Sequence, residues 1–248
     1  MLILKCKNIM DKIRKKSIAI GVLLILSIVV GVLSIDPVID EMGNLESVSV
    51  NSNAIKIRAF MQFTLALIYA SIPIILYTML KKVNTSLTIG FLTFRSISVA
   101  FIFIGWLSIL LLLELSDEFL QAESSGSAHF QTLDNLLRSG RDLVNHVAMP
   151  LILSVGNLMF YSILYQSKLI PRWLSIWGLI ATVLSGILAS ILLMFNVINI
   201  ITPSYIMLAL PTALLEIVLA LWLIIYGFDM HLVNSNSKND KVSFAKVS

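Results

Sequence analysis

Residues 90–113 read GFLTFRSISVAFIFIGWLSILLLL, an apolar run that contains a single charge, Arg95. A helix of about 24 residues is about 36 Å long, which is enough to cross a hydrocarbon core of about 30 Å. Five further apolar runs have about the same length and character, and they occupy 17–35, 59–80, 144–165, 172–195 and 205–228. The sequence therefore predicts an all-α integral membrane protein, a bundle of six transmembrane helices.

The composition agrees with a lipid environment. Apolar residues make up 58% of the chain and charged residues 13%, whereas soluble domains carry about 25% charged residues. Mean hydropathy is +0.92. We expect a basic N-terminal segment at 1–16, a membrane domain at 17–228 and a polar, disordered tail at 229–248. The first run is too long for a signal-peptide core and lacks a small-residue cleavage site, so we interpret it as an uncleaved span.

The distribution of basic residues predicts the orientation. If both termini are cytoplasmic, the outer segments carry only Lys56, Arg58, Arg138 and Arg141 of the 18 Lys and Arg residues. Short cytoplasmic loops are enriched in Lys and Arg, so we expect a plasma-membrane protein with both termini in the cytoplasm. The expected partner is the lipid bilayer. Nucleic acid is not expected, because no basic stripe with interleaved aromatic residues is present.

A helical pattern also precedes span four. The apolar positions are Leu133, Leu136, Leu137 and Val144, and the charged positions between them are Asp134, Arg138, Arg141 and Asp142. This spacing predicts a short amphipathic helix on the outer surface, with a flexible point at 124–127 before it and a break at Gly140. Such a helix would serve as a lid over a cavity or as a plain surface connector.

Small residues indicate which spans pack closely. In span five Gly178, Thr182, Gly186 and Ser190 recur every four residues. Close helix contacts in membranes use such residues, so we expect span five to be the most centrally packed helix. Pro150 and Pro211 have no amide hydrogen, so they should leave the carbonyls of His146 and Met207 without their helical donors.

Two charged residues lie within the spans, Arg95 in span three and Glu216 near the middle of span six. A buried charge in the bilayer needs a partner, a route to water or neutralisation. Three interpretations stay open: a structural Arg95–Glu216 pair, an Arg95 that reaches the headgroups beside a neutral Glu216, or a functional site with Glu216 as proton carrier or cation ligand. His146 and Asn157 in span four are secondary polar candidates.

No motif predicts catalysis. Cys6 is the only cysteine, and the histidines are His129, His146 and His231, without metal-site spacing. We therefore predict no catalytic residue, no metal and no cofactor. Three functions remain: a non-enzymatic membrane protein that binds a partner or lipid, a small-solute or proton-coupled transporter that uses Glu216, and, with least support, an intramembrane enzyme.

The C-terminal half carries a family resemblance. The turn Leu-Ile-Pro-Arg-Trp-Leu at 169–174 is followed in span six by Pro211, Glu216 and Ala-Leu-Trp at 220–222. This arrangement resembles a bacterial multi-pass membrane family, the domain of unknown function DUF4386. Arg95 resembles the Arg that members of this family carry in span three. Departures are the charged N-terminus and Asn157, where family members often have a His nearby. The resemblance implies a six-helix membrane domain and no known activity.

Overall fold

The computed structural model describes residues 2–40, 45–122, 127–200 and 202–229, and within these residues the regular structure is helical, without a strand. The α-helices are α1 (Leu2–Leu33), α2 (Pro37–Asp40), α3 (Leu45–Val50), α4 (Ser52–Leu80), α5 (Thr85–Gln121), α6 (Ser127–Leu143), α7 (Met149–Ser167), α8 (Arg172–Ala181), α9 (Ala189–Met194) and α10 (Pro203–Ile225). Two π-helical segments, Val144–Ala148 and Thr182–Leu188, join α6 to α7 and α8 to α9.

Six helices are long and apolar enough to cross a membrane, which confirms the predicted number of spans. Spans one to six are Met10–Leu33, Ser52–Leu80, Thr85–Gln121, Ala128–Ser167, Arg172–Met194 and Pro203–Ile225. The cytoplasmic orientation of the termini stays a prediction. The predicted tail lies outside the described residues from 230 onward, and the predicted flexible point at 124–127 does so up to residue 126.

The six spans form a ring in chain order, because each span packs against the next and span one packs against span six. The closing contact is tight: a Cβ on Gly21 of span one would lie 2.7 Å from the carbonyl oxygen of Ala220 in span six. The main hydrophobic cluster draws buried residues from all six spans. The ring thus leaves one shared interior, toward which every span contributes side chains.

The expectation that span five is the most central helix is wrong. Its small residues do meet span four, since Gly178 lies against the Tyr161 ring and Gly186 against the Ser154 hydroxyl. However, 28% of the 18 most apolar consecutive residues of span five are buried, compared with 39% of the corresponding residues in spans two, three and four. Only one face of span five is covered, because a ring position leaves the opposite face to lipid.

Helix α6 lies where the sequence predicts a helix, and part of its charged face is buried against the protein. Asp134 and Arg138 are buried at 0% and 2% exposure, whereas Leu133 and Leu136 are exposed at 47% and 66%. The chain does not break at Gly140, which lies inside α6. The departure from α geometry comes instead at Val144–Ala148, in front of Pro150. The helix therefore continues into span four with its charges facing the protein.

The two ends of the bundle are built differently. The end at which span one begins and span six ends, here called the termini end, holds Arg14 and the turn between spans four and five at Lys168. The opposite end, here called the loop end, holds α2, α3 and α6. At the loop end Ile39, Val48 and Leu112 belong to a second hydrophobic cluster, so the segment between spans one and two is packed rather than simply solvated.

Arg14 joins the first span to the last at the termini end. Its guanidinium donates hydrogen bonds to the carbonyls of Leu223, Ile224 and Ile225, whose helix ends there. Gly227 follows with a φ of +77°, a backbone conformation that suits glycine. These carbonyls have no partner inside the helix, so the cation caps them. Its charge also interacts favourably with the negative end of the helix dipole.

We expect Arg14→Gln to loosen the end of span six. Hydrogen bonds to charged groups contribute about 1.5–3 kcal/mol each, and the glutamine amide replaces them only in part. Hydrogen exchange of the Tyr226 and Gly227 amides in detergent micelles should become faster. Lys15→Gln is the matched control, since Lys15 is an exposed cation one residue away, and equal exchange in both variants would contradict the capping role.

Candidate functional site

Arg95 of span three is held inside the ring. Its side chain is 6% exposed, its Nη1 donates to Oδ1 of Asn157 in span four at 3.2 Å, and its guanidinium carbon lies 4.4 Å from the centre of the Tyr69 ring in span two. The Nε hydrogen has no acceptor among the described residues. The guanidinium is therefore fixed by an amide and an aromatic face, with one donor still unsatisfied.

Glu216 and Arg95 share one cavity. The cavity has a volume of about 30 Å³, and Asn157, Tyr161 and Thr212 line it together with these two residues. Arg95 and Glu216 are close enough for their charges to interact. Within the described residues, however, the two side chains form no ion pair within 4.0 Å. The two predicted intramembrane charges therefore line one cavity without forming an ion pair.

The size of the cavity determines what it can hold. A cavity needs about 10–15 Å³ of such volume for one water molecule, and a buried water needs two to four polar partners. A volume of about 30 Å³ therefore accommodates about two water molecules. Arg95, Glu216 and Thr212 provide donors and acceptors of the required kind. In this conformation the cavity is too small for an organic solute and well suited to water.

Irregular backbone flanks the cavity on two sides. Pro211 lies inside span six, five residues before Glu216, and the π-helical segment of span five begins at Thr182, which lines the cavity. Thr212 donates its hydroxyl to the carbonyl of Ala181 at 3.3 Å. Such cross-helix bonds satisfy backbone groups that proline and π geometry release, and π segments are frequent at functional sites.

His146 lies away from this cavity, about three turns from Asn157 toward the loop end of span four. Its Nδ1 is 3.0 Å from the Tyr205 hydroxyl at the start of span six. The His146 carbonyl accepts a hydrogen bond of 3.2 Å from Ser190 in span five. The sequence predicts that Pro150 frees this carbonyl, and the Ser190 hydroxyl supplies the missing donor. His146 thus connects spans four, five and six.

A second group of charges lies at the loop end, and the sequence did not single it out as a cluster. Arg138 Nε bonds Asp134 Oδ1 at 2.7 Å, and Arg138 also donates to the carbonyls of Val38 and Ile39 in α2. Arg141 bonds Asp40 at 2.9 Å. The signal was available, since Asp134, Arg138 and Arg141 follow the i, i+4, i+7 spacing of one helix face.

The described part of the chain contains no group of three His, Cys, Asp or Glu side chains that could hold a metal ion. The two secondary polar candidates, Asn157 and His146, lie in different places in the bundle. Asn157 is a ligand of Arg95 in the central cavity, whereas His146 belongs to a separate polar contact near the loop end.

Comparison with known protein families decides the assignment. A family model described as Domain of unknown function (DUF4386) matches residues 19–227, nearly the whole span-forming region. The chain belongs to this family. The resemblance predicted from the turn at 169–174 and from span six is thereby confirmed. No curated protein and no solved structure matches this DUF4386 member. Membership establishes a membrane domain of unknown function, and the chemistry has to be argued from the cavity.

Proposed function

We propose that this DUF4386 protein is a non-enzymatic membrane binding protein whose binding site is the hydrated cavity between Arg95 and Glu216. One observation supports this most strongly: Arg95 and Glu216 both line a water-sized cavity without forming an ion pair, and the Nε hydrogen of Arg95 has no acceptor among the described residues. Charged groups inside a bilayer are costly, so a pair whose role is only to hold two helices together is expected to be in direct contact. A cavity of this size suits water and protons, so Glu216 acts as a proton-binding carboxyl.

The first expected result concerns this carboxyl. Infrared spectra of the protein in lipid nanodiscs should contain a protonated-carboxyl band that titrates with pH and shifts in heavy water. The band should be lost in Glu216→Gln. Glu114→Gln is the matched control, because Glu114 is exposed at the other end of span three. If Glu216→Gln leaves the carboxyl region unchanged at every pH, Glu216 binds no proton and the proposal fails.

The second expected result concerns coupling across the cavity. Arg95→Gln removes the positive charge that faces Glu216, and Glu216→Gln removes the negative one. Each single variant should lower the free energy of unfolding by about 1–3 kcal/mol, because one buried group loses its partner. The double variant should be more stable than the sum of the single effects predicts, as measured by thermal unfolding in detergent. Strict additivity would show that the two charges are independent.

A second function, proton-coupled transport of a small solute, is favoured by the irregular backbone beside the cavity. Pro211 and the π segment at Thr182–Leu188 are points at which helices bend, so spans five and six can change their separation there. Transport would require a wider conformation, since the present cavity admits about two water molecules. Proton uptake by proteoliposomes that depends on an added solute and is abolished in Glu216→Gln would support this function over simple binding.

A further inference from the structure

Hydroxyl groups continue from the central cavity toward the loop end, along the line where spans four, five and six meet. In order from the cavity, the contacts are Thr212 with the Ala181 carbonyl, Ser185 with the Leu208 carbonyl, Ser154 against Gly186, Ser190 with the His146 carbonyl, and His146 with Tyr205. We call this line of contacts the polar seam. Each contact joins two different spans, so the seam follows the interface itself.

Three hydroxyl residues of span five follow the seam. Thr182, Ser185 and Ser190 are three and five residues apart, which corresponds to about 4.5 and 7.5 Å along the helix axis. One or two water molecules bridge such distances. Each serine that donates to a carbonyl keeps two lone pairs, with which it can accept a hydrogen bond from water. The seam therefore offers polar partners at each step between Glu216 and the His146–Tyr205 contact.

Toward the termini end the lining of the cavity is mostly apolar, and Leu219 and Leu223 belong to it. Span six presents Leu219, Ala220 and Leu223 toward the termini end, at 2%, 0% and 0% exposure. Span four places Ile163 and Leu164 at the same level, both at 0% exposure. Side chains of this kind give water no hydrogen-bond partner, and an apolar region of tight packing stays dry. The surroundings of Glu216 are thus asymmetric along the bundle axis.

We propose that Glu216 exchanges protons with water at the loop end through the polar seam, while the apolar packing at the termini end prevents exchange there. This inference rests on the proposed function, because it requires Glu216 to bind a proton. Uptake transfers a proton from water near His146 and Tyr205, through bridging water molecules, to the Glu216 carboxylate. Release reverses these transfers, so only O–H bonds form and break and no other reactant is needed.

The groups that face Glu216 are compatible with this role. Arg95 from span three brings a positive charge, and Tyr69 from span two and Tyr161 from span four bring phenol groups. Spans one and five contribute Ile20, Leu24 and Thr182 to the cavity, none of which titrates. Arg95 keeps its charge, and phenols stay protonated at neutral pH. Glu216 is therefore the cavity group to which the exchanging proton is assigned.

The experiment measures how fast the Glu216 carboxyl band responds when nanodiscs are mixed with heavy water. Ser185→Ala and Ser190→Ala each remove one hydroxyl from the seam. Ser175→Ala is the matched control, because Ser175 is a fully buried serine of the same span on the termini side of the cavity. We expect each seam variant to slow the exchange by about tenfold, the factor that loss of one typical hydrogen bond implies. Ser175→Ala should exchange at the wild-type rate.

Ser185→Thr keeps the hydroxyl and should restore fast exchange, which separates the seam from a general loss of packing. If Ser185→Ala does not fold, Ser190→Ala provides the same comparison. Equal exchange rates in all serine variants, or slowing by Ser175→Ala alone, would overturn the route while leaving a proton-binding Glu216 in place. Absence of any band that depends on Glu216 would instead overturn the proposed function itself.

Discussion

Replacing Arg138 by Met should destabilise the protein more than any other single change considered for this chain. Asp134 is completely buried and bonds Arg138 at 2.7 Å, and the carbonyls of Val38 and Ile39 bond the same guanidinium. Removing one partner of a buried ion pair costs about 3–5 kcal/mol, because the remaining charge keeps its desolvation penalty. The midpoint of thermal unfolding in detergent should fall accordingly.

Two further variants separate the ion pair from a general effect of lost charge. Lys56→Met removes an exposed cation at the same end of the bundle and should change stability by less than about 1 kcal/mol. Asp134→Leu combined with Arg138→Met removes both charges and should recover much of the loss, since a buried pair is replaceable by packed apolar groups. A double variant as unstable as Arg138→Met would show that the α2 carbonyls, not Asp134, account for the effect.

The second large effect is expected for Gly178→Ala. A Cβ at this position would overlap the ring of Tyr161, which is 5% exposed and packs on Phe160 with ring centres 5.1 Å apart. The ring cannot rotate out of the way as a flexible side chain would. Overpacking of this kind costs about 1–3 kcal/mol. Because Tyr161 lines the central cavity, the titration of the Glu216 infrared band should change as well.

Gly140→Ala is the control for this variant. A Cβ on Gly140 would meet no atom within 4 Å, and Gly140 lies inside α6. Alanine is the better helix former by about 1 kcal/mol, so this variant should be slightly more stable than the wild type. A loss of stability in Gly140→Ala as large as that in Gly178→Ala would indicate that the close contact with Tyr161 is not the cause.

The sequence predicted the spans because hydrophobic length is a direct requirement of the bilayer. Glu216 shares a helix face with Ala209, Ala213 and Ala220, a spacing that favours an inward position, and Glu216 does line the cavity. For α6 the sequence predicted a helix with an apolar and a charged face, but not which of the two faces meets the protein. Apolar periodicity identifies the two faces of a helix, but it does not say which of them meets protein when lipid also accepts apolar side chains.

Other features depend on contacts between distant parts of the chain. The prolines predicted which carbonyls would be freed, and Ser190 proved to be the donor for the His146 carbonyl, but no local pattern connects these two positions. The cavity that Arg95 and Glu216 share also depends on residues that are distant in the chain. A sequence indicates that two charges need partners, whereas the separation between them follows from how six helices pack.

The ring has a consequence for the order of assembly. Span six follows the other five spans in the chain, and its neighbour in the ring is span one. Arg14 and Leu223 are 209 residues apart in the chain. Until span six arrives, Arg95 has Asn157 and Tyr69 but no opposing carboxylate. The proposed proton-binding site is therefore incomplete in any nascent chain that stops before Glu216, and it is completed in the same step that closes the ring.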